Sequence, residues 1–140
     1  MEYNIKDIVY VENYVYKNGA KGTNHNFVII DKEKAIDIDY YGLLMSSNTN
    51  KVGDNFPYNV LLKRDKINNL RKDSIIKCDD YITIDKNEIK FKIGEISDND
   101  LKIFKEKFNK YLEEKNRLNA ESKNTENIKE NQTYKMEQQP

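Results

Sequence analysis

Histidine and cysteine, two residue types often used in catalysis and metal binding, are scarce in this sequence. The 140 residues include one histidine, His25, and one cysteine, Cys78. A single cysteine cannot form an intramolecular disulfide, which fits a reducing cytosol. One histidine and one cysteine also argue against a zinc site, which needs about four such ligands. The sequence has neither a glycine-rich phosphate loop nor a Gly-x-Ser-x-Gly nucleophile motif.

Two pairs of aspartates are further candidates for chemistry. Asp37 and Asp39 alternate along a predicted strand, so they share a face and can bind a cation. Exposed strand faces are often acidic, however, so this pair is also explained without a ligand. Asp79 and Asp80 are adjacent, and in a regular strand their side chains point to opposite faces. The second pair is therefore not a ready-made carboxylate pair.

Charge gives no whole-molecule argument for nucleic-acid binding. Lys plus Arg and Asp plus Glu both total 24, so the formal net charge is +0. RNA would have to be attracted by a local patch. The best candidate is the basic run Lys63, Arg64, Lys66, Arg71 and Lys72. From charge alone, this run is more simply explained as a solvated loop.

Short runs of β-branched and aromatic residues predict a mainly β protein. The predicted strands cover residues 5–16, 27–30, 35–46, 58–62, 74–78, 81–84 and 88–93. Polar loops containing glycine separate several of them, and the charged segment 63–73 can hold a short helical turn. The apolar stretches are far too short to span a membrane, and no signal peptide precedes the first strand. We therefore expect a cytoplasmic protein that makes no membrane contact.

One helix is predicted to begin at Ser97, whose hydroxyl can cap the free N–H groups of the first turn. Apolar residues recur at helical spacing along it, at Leu101, Phe104, Phe108, Tyr111 and Leu112. This stripe predicts packing against the sheet. The pattern ends near Asn116, so we predict one domain over residues 1–116 and a disordered polar tail over residues 117–140.

Two stretches of the sequence resemble a known family, the MazF/PemK toxins. The stronger similarity has Leu70 with Asp73-Ser74, then Thr83-Ile84-Asp85, Lys92-Ile93-Gly94 and the Ser97 helix, in the family's order and spacing. The weaker one is in the N-terminal half, where 5–10 resembles the family's opening strand and 27–30 its next apolar strand. Together they cover roughly residues 5–112.

The resemblance implies a fold, an activity and partners. The implied fold is an SH3-like barrel with a C-terminal helix, usually paired as a homodimer. The implied activity is cleavage of single-stranded RNA by a toxin endoribonuclease that needs no metal or other cofactor. The implied second partner is an antitoxin protein that blocks the RNA groove with a peptide disordered until it binds.

The family's functional positions carry altered residue types in this chain. Its Arg-Pro pair falls on His25-Asn26, its catalytic Ser/Thr on Ser46, and the Arg-Cys-Asp of the PemK branch on Lys77-Cys78-Asp79. The resemblance thus implies a catalytic set of His25, Ser46, Lys77 and Asp79, with no metal. We expect RNA contacts from Lys21, Asn24, Ser47 and Arg64.

RNA cleavage without a metal needs a base for the 2′-hydroxyl, an acid for the leaving 5′-oxygen, and donors for the transition state. His25 suits acid or base work because the reference pKa of histidine is about 6.5. Lys77 can stabilise charge but lacks the planar fork of arginine. Ser46 can donate a hydrogen bond to a phosphate oxygen. Asp79 can act as the base or hold His25.

The altered positions leave a second hypothesis open. A degenerate barrel that has lost the catalytic arginine can still bind RNA or a protein partner. His25 can then be an ordinary surface histidine and Ser46 a plain strand end. Three tyrosines can stack on bases, although tyrosines in strands usually pack within the sheet, namely Tyr40, Tyr41 and Tyr58. The hypotheses differ in geometry: if His25 and Asp79 lie far apart or point into different regions, catalysis by the predicted set fails.

Overall fold

The structure is a computed structural model that describes residues 2–15, 19–22, 24–32 and 39–138, without the side chains of 39 and 121–138. The described elements are β1 (Asp7–Val11), β2 (His25–Lys32), β3 (Asp39–Ser46), β4 (Asn59–Leu62), β5 (Ser74–Asp85), a 3-10 turn (Lys86–Glu88), β6 (Ile89–Glu95) and α1 (Asp98–Gln138). The predicted cation pair cannot be assessed, because Asp37 and the side chain of Asp39 lie outside the described residues.

The strands form one antiparallel sheet in the order β4-β5-β3-β2-β1-β6. The loop after β4 links the two outer strands of this sheet. In that loop the carbonyl oxygen of Ile67 accepts a hydrogen bond from the Glu95 N–H (3.1 Å), and the Asn69 amide donates to the Ile93 carbonyl (3.1 Å). The predicted mainly β fold with a C-terminal helix is confirmed, and this loop brings the sheet's edges together.

Each face of the sheet carries an apolar cluster, because side chains alternate between faces along a strand. The helix-side cluster includes Ile8, Val28, Leu43, Ile76 and Phe104. The far-side cluster includes Val9, Val11, Phe27, Leu44 and Ile82. The helix covers the first of these faces, where Leu101 and Phe108 pack around the buried Phe104. The packing predicted for these three residues is therefore confirmed.

The start of the helix is fixed as its sequence predicts. The Asp100 N–H donates to the Ser97 hydroxyl (3.0 Å), and Lys6 pairs with Asp98 at 2.8 Å. Residues 109–140 form a separate compact unit from residues 1–108, and within it Arg117 lies 3.9 Å from Glu114. The division into a domain at 1–116 and a disordered tail stays a prediction. No helix in the described part of the chain is long and apolar enough to cross a membrane.

Two local structures differ from the predicted elements, and a third agrees with its prediction. β1 ends at Val11, and Asn13 turns the chain with a φ of 56°. The two strands predicted at 74–78 and 81–84 form the single strand β5. Segment 63–73 holds the predicted short helical turn: the Asn69 N–H donates to the Asp65 carbonyl (3.1 Å), and the Asp65 carboxylate caps the turn by accepting the N–H groups of Ile67 (2.8 Å) and Asn68 (2.7 Å).

Candidate active site

His25, Ser46 and Lys77 project from the same face of three neighbouring strands. Leu44 pairs with Phe27 on one side and with Lys77 on the other, so continuing this register puts His25 beside Ser46. His25 is also paired with Val11, a member of the far-side cluster. Side chains two residues apart on a strand share a face. Three of the four predicted catalytic residues therefore meet on the far-side face, at one end of β2, β3 and β5.

The imidazole of His25 is held by a tyrosine that sequence analysis missed. The Tyr14 hydroxyl lies 3.0 Å from Nδ1 of His25, and the two rings meet edge to face with centroids 5.9 Å apart. Tyr14 is buried against Phe27, at a centroid distance of 4.9 Å. When the phenol donates to Nδ1, the neutral imidazole carries its proton on Nε2.

Gly22, between β1 and β2, packs tightly against this tyrosine. A Cβ atom at Gly22 would overlap the Tyr14 ring, so only glycine lets the backbone pass there. The Gly22 N–H donates to the Tyr14 carbonyl at 2.9 Å. One feature of the sequence could have pointed to Tyr14. An aromatic residue precedes the predicted loop, and a glycine lies within that loop, just before the only histidine.

A bulge in β5 determines where the two adjacent aspartates lie. Leu44 pairs with Lys77 but Leu43 pairs with Tyr81, so residues 78–80 have no partner in β3. Cys78 is buried in the helix-side cluster, and Asp79 is exposed. Asp80 is half-buried and lies two residues before Ile82, which belongs to the far-side cluster. The bulge therefore places Asp80 on the same face as His25.

The electrostatics of Asp80 reflect these surroundings. Burial raises the pKa of the Asp80 carboxyl above its ordinary value, and the charge of Asp79 raises it further. The positive charge of Lys77 and the charge of His25 act in the opposite direction. The charges of Lys77 and His25 therefore both act on the Asp80 carboxyl. The catalytic role predicted for Asp79 stays a prediction. Its side chain is exposed next to Asp80.

A cavity of about 330 Å³ lies where the bulge faces the segment before β4. Its lining residues are Lys51, Asn55, Phe56, Pro57, Tyr58, Asn59, Lys77, Asp79 and Asp80. Two hydrogen bonds stabilise the wall of this cavity. The Cys78 N–H donates to the Tyr58 carbonyl (3.0 Å), and the Asn59 side-chain amide donates to the Lys51 carbonyl (2.8 Å). Ammonium and carboxylate groups meet in this cavity, as acid–base chemistry on a phosphodiester requires.

A second cavity, of about 620 Å³, contains only one of the predicted RNA contacts. Ser47 lines it, together with Arg71 and Lys72 of the basic run. Arg64 does not line it, and its side chain donates to the Arg71 carbonyl at 3.3 Å. Lys21 and Asn24 are exposed in the loop before β2. The structure thus spreads the predicted RNA contacts over the surface.

The three tyrosines considered for base stacking mainly pack within the protein. Tyr40 is 3% exposed and meets the ring of Tyr3 edge to face. Tyr41 lies edge to face with Tyr81 at 6.4 Å, and Tyr58 packs against the helix-side cluster. Among the side chains that the structure describes, no group of three or more His, Cys, Asp or Glu is placed to hold a metal ion.

A six-stranded antiparallel sheet with a C-terminal helix defines the class of this protein, the MazF-like fold. "Mycobacterium tuberculosis toxin MazF-mt6" matches it with a TM-score of 0.56 and 14% identity, covering 76% of this chain and 96% of that one. "Endoribonuclease in complex with its cognate antitoxin from Mycobacterial species" matches with a TM-score of 0.57 and 11% identity, covering 79% and 95%. These likenesses concern the fold.

The family is established by the sequence. The model of the PemK-like, MazF-like toxins of type II toxin-antitoxin systems matches residues 6–112, and the chain therefore belongs to that family. Comparison with curated proteins gave no match.

Proposed function

We propose that this chain is the toxin of a type II toxin–antitoxin system and cleaves single-stranded RNA without a metal ion. The observation that carries the proposal is the meeting of His25, Ser46, Lys77 and Asp80 on one face, at one end of the sheet. A base, an acid and a cation are the groups that such cleavage requires. The solved structure titled as an endoribonuclease in complex with its antitoxin supports the same activity.

In the proposed reaction, Asp80 takes the proton of the 2′-hydroxyl. The 2′-oxygen bonds to the adjacent phosphorus, the bond from phosphorus to the 5′-oxygen breaks, and His25, acting as the imidazolium cation, gives that oxygen a proton and becomes neutral. The products are a 2′,3′-cyclic phosphate and a free 5′-hydroxyl. Lys77 and Ser46 stabilise the charge on the phosphate oxygens. Burial suits Asp80 to the base role, because a base works best when its pKa approaches the working pH.

The proposal also covers the binding partners of the protein and its location in the cell. One fold relative is titled as a complex with its cognate antitoxin, which supports an antitoxin for this chain too. A homodimer and a cytoplasmic location are part of the same proposal, since both are usual for this kind of toxin. The RNA contacts Lys21, Asn24, Ser47 and Arg64 are part of the same proposal, and all four residues are exposed.

The second candidate is a binding module without catalysis. It is favoured by one observation, that lysine stands at Lys77 and histidine at His25 where the family has arginine. Neither replacement offers a bidentate fork for a phosphate.

The test is incubation of the purified protein with a long single-stranded RNA in EDTA, beside His25→Ala and Lys90→Ala variants. Lys90 is exposed on β6 and serves as the matched control. We expect discrete fragments ending in 2′,3′-cyclic phosphate from the wild type and Lys90→Ala, and none from His25→Ala. Fragments from all three would keep the nuclease and remove His25 from its mechanism. Intact RNA with a folded wild type would favour the binding module.

A further inference from the structure

We propose that the larger cavity, here called the Tyr10–Phe91 cavity, binds a nucleobase of the RNA next to the cleaved phosphodiester. This inference rests on the proposed function and deepens it. The cavity has a volume of about 620 Å³. The residues that line it are Tyr10, Asn26, Ser47, Asn69, Leu70, Arg71, Lys72, Ser74, Phe91, Lys92 and Ile93.

An aromatic pair at the cavity offers a stacking surface. Tyr10 and Phe91 are directly paired across β1 and β6, and their rings stack with centroids 5.0 Å apart and planes inclined by 13°. Phe91 remains 52% exposed, although phenylalanine is usually buried. A base can extend this stack, because every base has a flat π-face and stacks on aromatic side chains with little sequence preference.

The remaining lining supplies hydrogen bonds and positive charge. Asn26 carries an amide, which presents both donors and an acceptor, as base edges do. Arg71 and Lys72 are exposed, and no carboxylate is among the residues found to line the cavity. Lys92 already forms two ion pairs, since its ammonium lies 3.1 Å from the carboxylate of Asp7 and 2.6 Å from that of Glu95. The charge of the cavity is therefore complementary to RNA phosphates and comes mainly from Arg71 and Lys72.

The position of the cavity connects it to the reaction. Asn26 directly follows His25 on β2, and Ser47 directly follows Ser46 at the end of β3. Consecutive residues of a strand point to opposite faces, so the cavity and the catalytic residues lie on the two sides of the same strand ends. A single strand that crosses this edge can present a phosphate to His25 on one side and a nearby base to the cavity on the other.

The test measures RNA binding separately from cleavage. A short fluorescein-labelled RNA with a 2′-O-methyl group on every sugar cannot be cleaved, because the attacking hydroxyl is blocked. Its sequence spans the site cut in the long-RNA assay, or is randomised if nothing is cut. Anisotropy titrations compare the wild type with Phe91→Leu and Phe91→Ala. Leu61→Ala is the matched control, since Leu61 is 40% exposed on β4 and outside the cavity.

We expect both Phe91 variants to raise Kd about tenfold, as loss of one base–aromatic stack does, while Leu61→Ala leaves Kd unchanged. Circular dichroism melts confirm that each variant is folded. Unchanged Kd for both folded Phe91 variants, in a protein that cleaves RNA, would overturn the base site alone. Weakened binding by Phe91 variants of a protein that never cleaves would support the site and overturn the nuclease. A wild type that binds no RNA would overturn both.

Discussion

The proposed catalytic role of Asp80 depends on one local irregularity, the bulge at residues 78–80. Without the bulge, the regular alternation of β5 would set a different residue on the far-side face. With it, a carboxylate of raised pKa lies near His25. Bulges next to active sites commonly re-aim a side chain in this way.

We therefore expect Asp80→Asn to lower kcat/KM for RNA cleavage by about 10²- to 10⁴-fold, the usual contribution of a general base. Since the base works deprotonated and its pKa is raised, the wild-type rate should rise with pH until Asp80 has ionised. That rising limb should vanish in Asp80→Asn. The measurement is kcat/KM against pH with a labelled RNA.

Asp79→Asn is the matched control for this prediction, because Asp79 is adjacent but exposed. We expect it to keep the rate and the rising limb, with the limb moved to lower pH because the charge of Asp79 no longer raises the pKa of Asp80. The opposite pattern, with Asp79→Asn inactive and Asp80→Asn active, would return the base role to Asp79.

Cys78 illustrates a reactive residue type made inert by its position. Burial raises the pKa of the Cys78 thiol to about 12, so almost none is thiolate at neutral pH. We expect folded protein to show no reaction with an aromatic disulfide reagent over minutes, followed by one thiol per chain after addition of urea. Rapid reaction in the folded protein would contradict the buried placement of Cys78 in the helix-side cluster.

Sequence analysis could bring His25, Ser46 and Lys77 together because strand register and a family resemblance both depend on local order. It could not find Asp80, since a bulge changes the face of a side chain and is decided by packing between strands. Tyr14 was missed for a similar reason. Its contact with His25 depends on how the loop around Gly22 folds back, which no periodic pattern encodes.

At the scale of elements, periodicity predicted most strands and the start of the helix. The helix followed because its cap and apolar stripe are local signals. The segment 63–73 forms the short helical turn that was predicted, and the Asp65 carboxylate caps it by accepting the N–H groups of Ile67 and Asn68. The role of this segment in joining the sheet's edges depends on its distant contact with β6.

The contact between the segment 63–73 and β6 requires a glycine at position 94. A Cβ atom there would overlap the carbonyl group of Asn68 and lie 2.8 Å from the carbonyl oxygen of Ile67. We expect Gly94→Ala to lower the free energy of unfolding by about 1–3 kcal/mol, because overpacking forces the backbone apart. Urea denaturation followed by circular dichroism measures it.

Lys90→Ala on the same strand is the control for Gly94→Ala. Lys90 is exposed, and its ion pair with Glu12 is long at 3.9 Å, so we expect a change within about 0.5 kcal/mol. Equal stability of Gly94→Ala and the wild type would show that the loop can shift away from β6.

For the whole molecule, family and fold were predictable from the sequence although the matched structures share only 11–14% identity. The apolar pattern of the strands and helix can persist when nearly every surface residue changes. The surface charges follow no such pattern. Their sum is +0, so a separation into a mixed-charge cavity and a basic cavity became visible only once the chain was folded.

This charge separation predicts how RNA binding responds to salt. Each phosphate neutralised on a single strand contributes a slope of about −0.7 to a plot of log association constant against log salt concentration. Because the net charge is +0, only local cations contribute, and we expect a shallow slope of about −2. Lys72→Gln should make the slope shallower by about 0.7, since Lys72 lines the Tyr10–Phe91 cavity.

Lys66→Gln tests whether this effect belongs to the cavity or to the basic run as a whole. Lys66 is exposed in the same loop but does not line the cavity, and both substitutions remove one charge. Titrations of the uncleavable RNA at several salt concentrations should therefore separate the two variants. Equal slopes for Lys66→Gln and Lys72→Gln would mean that RNA is attracted by the overall positive charge of the loop. That result would contradict binding of RNA in the Tyr10–Phe91 cavity.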